Sequence, residues 1–180
     1  MATWGALIAV MAIAGRACVG LVFLLASVQK IRHWRLLPGV IGNYRLLPRW
    51  AVGAAGTLLP LVEMLAAIAL LSGQSGLWPA IAGIALLMVF AVAMAVNVAR
   101  GRSHIDCGCG QEFLAQHLSW ALVGRNLMLA GLLLPSLVVS APVPAAEIWT
   151  GAAAGLGFFL LYLLFNVFSA LRPVGARRFA

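Results

Sequence analysis

Two thiols separated by one glycine, Cys107-Gly108-Cys109, lie in the stretch Arg100-Gly101-Arg102-Ser103-His104-Ile105-Asp106-Cys107-Gly108-Cys109-Gly110. A Cys-X-Cys pair closes only a small, strained disulfide ring, and strain makes such a bond easy to reduce. The spacing therefore suits thiol–disulfide exchange. One thiolate attacks a partner's disulfide, and the second cysteine releases the mixed disulfide. Gly108 supplies the backbone freedom that so tight a ring needs. Arg100, Arg102 and His104 set positive charge near the thiols, which raises the thiolate fraction. Asp106 opposes that effect but offers a proton acceptor beside Cys107.

The same atoms permit two other readings. Cys107, Cys109, His104 and His117 would offer soft and imidazole ligands to zinc or copper, although one residue between thiols is tighter than the usual zinc spacing. Alternatively the stretch is a glycine-rich turn whose thiols do nothing. No cofactor is fixed by these residues.

The frame around the motif is a membrane frame. Of 180 residues, 64% are hydrophobic and only 9% charged, with a mean hydropathy of +1.06. Soluble domains run nearer a quarter charged, so the composition predicts an integral membrane protein. The net charge of +8 would point to nucleic acid in a soluble chain. Here the arginines sit in short loops between apolar blocks, so their partners are anionic lipid headgroups, and nucleic-acid binding is excluded. The first cation is Arg16, and no cleavage pattern follows a short apolar core, so the N-terminal block reads as a retained helix and not a removed signal peptide.

Five segments are long enough to cross a bilayer as helices, which takes ~20 residues each. They run over about 5–28, 50–71, 78–98, 119–139 and 148–171, with the cysteine motif in a polar loop at 99–118. The expected fold is an all-α integral membrane bundle forming one domain over 1–180. Trp50, Trp78, Trp120 and Trp149 stand at segment ends, where an amphipathic ring favours the interface. Loop charge orients the bundle. Lys30, Arg32, Arg35, Arg45, Arg49, Arg100, Arg102, Arg172, Arg177 and Arg178 fall on one side, and the loops on the other side carry no Lys or Arg. The N-terminus is then outside, and the cysteine loop and C-terminus are cytoplasmic.

Between the first two segments, Arg35-Leu36-Leu37-Pro38 recurs as Arg45-Leu46-Leu47-Pro48. Leucines alternating with arginines suit a segment lying in the interface plane, as an anchor or as a docking surface for a partner. Each proline discourages helix in the residue before it.

Arg16, Glu63 and Arg125 fall inside predicted spans, where ionised groups are costly and normally paired. Counting from Lys30 and from Trp50 places Arg16 and Glu63 at one depth, ~20 Å from the inner boundary, so an Arg16–Glu63 ion pair is predicted. Such a pair would staple the bundle or, more sharply, handle protons or a quinone. Arg125 lies ~9 Å into the fourth helix, where Asn97 and Asn126 share its level beneath the cysteine loop. Arg125 there would favour a thiolate, or would snorkel to the headgroups. Cys18, two residues past Arg16, reads as a small packing hydrophobe. Gly53, Gly56, Gly151, Gly155 and Gly157 would let helices pack closely.

With these residues in place, the chain resembles the MauE family of methylamine-utilisation membrane proteins, within the broader DoxX-like group of redox-associated membrane proteins. The resemblance is carried by Arg16 through Lys30, Tyr44-Arg45-Leu46-Leu47-Pro48, Leu59-Pro60 with Glu63, and Asn97 with Arg100-Gly101-Arg102. Ile105-Asp106-Cys107-Gly108-Cys109-Gly110, Leu118-Ser119-Trp120 and Arg125-Asn126 complete it, and the Asp-Cys-Gly-Cys block with the downstream Arg-Asn is its most specific part. The resemblance implies a DoxX-like core in the first four helices and a bacterial inner-membrane location. It also implies a part in maturing the small subunit of methylamine dehydrogenase, or another disulfide-containing client, with a thioredoxin-like (MauD-type) partner. The redox role carries over onto Cys107 and Cys109.

The family's client is periplasmic, whereas loop charge puts the cysteines on the cytoplasmic side. Electron passage across the membrane, re-entry of the loop, or a role other than direct thiol exchange would each reconcile the two. A thiol–disulfide oxidoreductase is thus the leading reading. A non-catalytic membrane scaffold for a maturation partner and a small-solute or metal transporter are the alternatives.

Overall fold

The computed structural model describes residues 2–73, 76–102, 118–139 and 143–171. Their elements are α1 (Ala2–Arg32), α2 (Leu37–Tyr44), α3 (Arg49–Leu71), α4 (Leu77–Ala99), α5 (Trp120–Leu133) with a 3-10 turn at Leu134–Leu137, and α6 (Ala145–Leu171). No strand occurs among the described residues. Five helices are long and apolar enough to cross a membrane, α5 counting together with its 3-10 turn. The chain is an all-helical multi-pass membrane protein, as composition and segment length predict.

α1 is the axis. It packs against α3, α5, the 3-10 turn and α6. Half of its most apolar stretch is buried, against 11% for that of α6, which lies at the edge of the bundle. Lipid is as apolar as a protein core, so hydrophobicity alone does not choose which face of such a helix turns inward. Small residues choose it, by letting backbones approach.

Two of the five glycines read as packing positions serve in that way on α6. A Cβ added at Gly151 or Gly155 would stand 2.7 Å from Ile13 or 2.6 Å from Ala17, both on α1. Gly56 sits against Pro38 of α2, at 3.2 Å. Gly157 and Gly53 face open space instead, so they carry no helix contact. Gly15, Gly20 and Gly83 do equivalent work, against Leu132, Leu71 and Leu133 respectively.

The repeated Arg-Leu-Leu-Pro motif marks two helix starts. Pro38 occupies the first turn of α2, and Pro48 stands in extended backbone immediately before α3. Proline is suited to a first helical turn, because its missing N–H would be unpaired there anyway. Leu37 begins α2 despite preceding Pro38. Arg45 closes α2 in the left-handed conformation at φ 49° and turns the chain back. α2 then lies along the first half of α3.

Successive spans run in opposite directions. The C-terminal end of α4 and the N-terminal ends of α3 and α5 therefore gather at one end of the bundle, called the basic end below, toward which α1 points without reaching it. The α3–α4 turn and the 3-10 turn gather at the other.

Candidate functional site

At the middle of the bundle α1 and α3 share a charge pair. The Lys30 ammonium donates to both carboxylate oxygens of Glu63, at 2.5 and 2.7 Å, with the two side chains 7% and 0% exposed. The ammonium also stands 5.3 Å from the centre of the Phe90 ring of α4, so three helices meet at one cation. Two ions leave water at a cost of several kcal/mol each, which only close, fully formed geometry offsets.

This overturns the expected Arg16–Glu63 pair. The depth count took Lys30 as the membrane boundary, but α1 runs on to Arg32 and Lys30 is itself inside the bundle. Arg16 lies fourteen residues away on the same helix, ~21 Å from the pair. Its guanidinium instead donates to the carbonyls of Gly76 at 3.2 Å and Ser136 at 3.5 Å, tying α1 to both turns at the end opposite the basic one. The Ser136 hydroxyl returns a bond to the Ala12 carbonyl at 3.1 Å. Arg16 is therefore a tether between helix ends.

Lys30 is the residue that sequence reasoning missed, and it carried a signal. It is the single lysine among 12 Lys and Arg residues. An ammonium is a compact point charge that meets a single carboxylate well, whereas the loop-charge count treats Lys30 and the nine loop arginines alike, as topology marks. Cys18 is a buried free thiol in the α1 core beside Val19, Val22 and Phe23, consistent with its reading as a packing residue.

Nearer the basic end lies a second polar group. Asn97 is 0%, Asn126 4% and Arg125 9% exposed. The Asn97 amide donates to the Ala93 carbonyl at 3.0 Å, and its Oδ1 is buried with no hydrogen-bond partner. Asn126 likewise donates to the Leu122 carbonyl at 2.9 Å. Arg125 does not snorkel. It donates to Asn166 Oδ1 on α6 at 2.5 Å and stands 5.2 Å from the centre of the Tyr162 ring.

Arg100 is exposed at the end of α4. Arg102, half-buried, keeps one Nη atom buried and without a hydrogen-bond partner, while its backbone N–H donates to the Asn97 carbonyl at 3.0 Å. Gly101 makes the intervening turn at φ 72°, a conformation that costs glycine little. Leu118, where the described chain resumes, is 0% exposed among Ala91, Met94, Leu122 and Val123. His104, Asp106, Cys107, Cys109 and His117 lie outside the described residues. Among the described residues no cluster of His, Cys, Asp and Glu could hold a metal ion.

Comparison with known proteins places these features in context. Residues 7–139 match the family model of the methylamine utilisation protein MauE. The chain is 40% identical to the methylamine utilization protein MauE of Paracoccus denitrificans, covering 87% of this chain and 86% of the relative. It is 40% identical to that of Methylorubrum extorquens, over 82% and 81% of the two chains, and 36% identical to that of Methylophilus methylotrophus, over 82% and 78%. No solved structure matches the chain.

Proposed function

Because the chain belongs to the MauE family of methylamine utilisation proteins, we propose that it supports disulfide chemistry in the maturation of a periplasmic client, working with a thioredoxin-like partner. Cys107 and Cys109 carry the exchange, and the methylamine dehydrogenase small subunit is the client that the family membership favours. The observation that carries this reading is the anchoring of the cysteine-bearing segment at both of its flanks. Arg102 is bonded to the end of α4, and Leu118 is sunk between α4 and α5. Both flanks adjoin the buried layer that contains Asn97, Leu122 and Arg125.

In the exchange, the thiolate of one cysteine attacks a disulfide sulfur of the partner and displaces its other sulfur as a thiolate. The second cysteine then attacks the mixed disulfide, leaving Cys107–Cys109 oxidised and the partner reduced; the reverse sequence oxidises the partner. Arg100 and Arg102 raise the local positive charge that favours the thiolate. Replacing one cysteine stops the sequence midway. Cys109→Ser or Cys107→Ser protein is expected to accumulate a reductant-sensitive adduct with a thioredoxin-like protein, identified by mass spectrometry of the captured band. With both cysteines replaced, the yield of correctly oxidised client falls. An unchanged yield would replace the catalytic reading with that of a scaffold docking through its basic loops.

The protein resides in the bacterial inner membrane with the basic end in the cytoplasm, following loop charge. Vesicles of either sidedness test this with a membrane-impermeant maleimide. Cys107 and Cys109 are expected to react in inside-out vesicles alone. Cys18, 1% exposed, stays silent in both and serves as the internal control. Reaction in right-side-out vesicles would reverse the orientation and bring the thiols to the client's side.

A further inference from the structure

We propose that the cavity beside Lys30 is a binding site for the ring of a membrane quinone. The cavity follows from helix lengths. α1 ends at Arg32, while α3 and α4 continue toward the basic end with little mutual contact, and α2 with Leu46 and Leu47 closes over the space between them. A volume of about 560 Å³ remains, at the level of Met88 to Val96 of α4 and of Ala55 to Leu59 of α3. Ligand pockets for small molecules fall in this range, and a substituted benzoquinone ring with its first isoprene units fits it.

The wall chemistry selects the ligand class. Apart from Lys30 and Tyr44, every side chain lining the cavity is hydrocarbon or thioether, and the lining includes Met88 and Met94, which adapt to irregular ligands. Both polar side chains carry donors. An ammonium has three N–H groups, and two of Lys30's are used on Glu63 at 2.5 and 2.7 Å. The third is not taken by Glu63, and the ammonium and the Phe90 ring 5.3 Å from it both border the cavity. The guest is thus an apolar molecule that brings an acceptor and no cation, located where lipid chains reach it. An acyl chain brings no acceptor at that depth, whereas a quinone carbonyl does.

Choosing a quinone among acceptor-bearing lipids rests on the dithiol reading of Cys107 and Cys109. Closing a disulfide from two thiols releases two electrons and two protons. A quinone takes up both, becoming a hydroquinone, and the reverse reaction consumes a hydroquinone and a disulfide.

The test uses full-length protein in detergent and a photoreactive azidobenzoquinone with a ten-carbon tail, the adducts being mapped by mass spectrometry. Labelling is expected on residues 37–47 and 88–96, competed by unlabelled decylbenzoquinone. Ala93→Phe fills the cavity and leaves the ion pair alone. Lys30→Met with Glu63→Met removes the donor without stranding either charge. Each is expected to raise the quinone Kd about tenfold or more, the scale of one charge-assisted hydrogen bond or a blocked site.

Labelling spread over lipid-facing α6, a Kd unchanged in both variants, or a retained phospholipid that quinone does not displace would overturn the site. Cys107→Ser/Cys109→Ser protein is expected to bind quinone as the wild type does. Binding is therefore read independently of thiol chemistry: loss of client oxidation in that variant leaves the site standing, and absent quinone binding removes the site while leaving the cysteine reading intact.

Discussion

Lys30→Met is expected to destabilise the protein by about 3–5 kcal/mol, enough to remove most folded protein from a detergent extract. The reason is asymmetry. Glu63 is 0% exposed, so without its cation the carboxylate must remain charged in a low dielectric or take up a proton to stay buried. Glu63→Met alone strands the ammonium between α1, α3 and the Phe90 ring, and is expected to cost a comparable amount. The double variant Lys30→Met/Glu63→Met removes both desolvation penalties and fills the space with apolar groups, so it is expected to regain most of the loss. Yield of monodisperse protein and the thermal midpoint in detergent measure all three. If Lys30→Met alone kept the wild-type midpoint, the pair would hold nothing together. A double variant that folds as well as wild type yet fails to support client oxidation would move the pair from architecture to chemistry.

That pair also shows where sequence reasoning reaches and where it stops. Five spans were legible because ~20 apolar residues between charged loops have few other readings in a chain this hydrophobic. The cost of intramembrane charge correctly singled out Glu63 as a paired residue. Its partner was misassigned because Lys30-Ile31-Arg32 looks like loop charge, and a depth count inherits the error of its starting point. Only the fold-back of α2 beside α3 shows that Lys30 is enclosed, and nothing in a hydropathy profile records that fold-back.

The glycines fail for a different reason. Gly155 and Gly157 are two residues apart on one helix, nearly opposite in direction, and both faces are equally apolar. Sequence cannot say which meets α1, whereas a Cβ at Gly155 would stand 2.6 Å from Ala17 and one at Gly157 meets nothing. For Arg125 the sequence leaves two readings open, a place beneath the cysteine loop or snorkelling to the headgroups, because its partner, Asn166, lies on α6, forty-one residues along, where no local pattern points.

Gly15→Ala carries the second large effect. A Cβ at Gly15 would fall 2.1 Å from the Leu132 carbonyl oxygen and 2.9 Å from its carbon, both backbone atoms that cannot rotate away. One methyl group must therefore push α1 and the end of α5 apart. This close approach is also what brings Ala12 within 3.1 Å of the Ser136 hydroxyl and Arg16 within reach of the Ser136 carbonyl, so the displacement loosens those bonds as well. Overpacking alone costs about 1–3 kcal/mol, and the weakened bonds place Gly15→Ala at or above the upper end of that range. Gly157→Ala and Gly53→Ala are the matched controls. Both sites open on free space within helices, so alanine there is expected to leave stability unchanged or raise it by about 0.5–1 kcal/mol through helix propensity. Thermal midpoints of the three variants in one detergent make the comparison. The lesion in Gly15→Ala is expected at the end of the bundle remote from Arg102 and Leu118, the residues that flank the cysteine-bearing segment, so the fraction that remains folded should still form the mixed disulfide. Loss of trapping in that fraction would mean that the two ends of the bundle are coupled through α1, the helix that carries Gly15, Arg16 and Lys30.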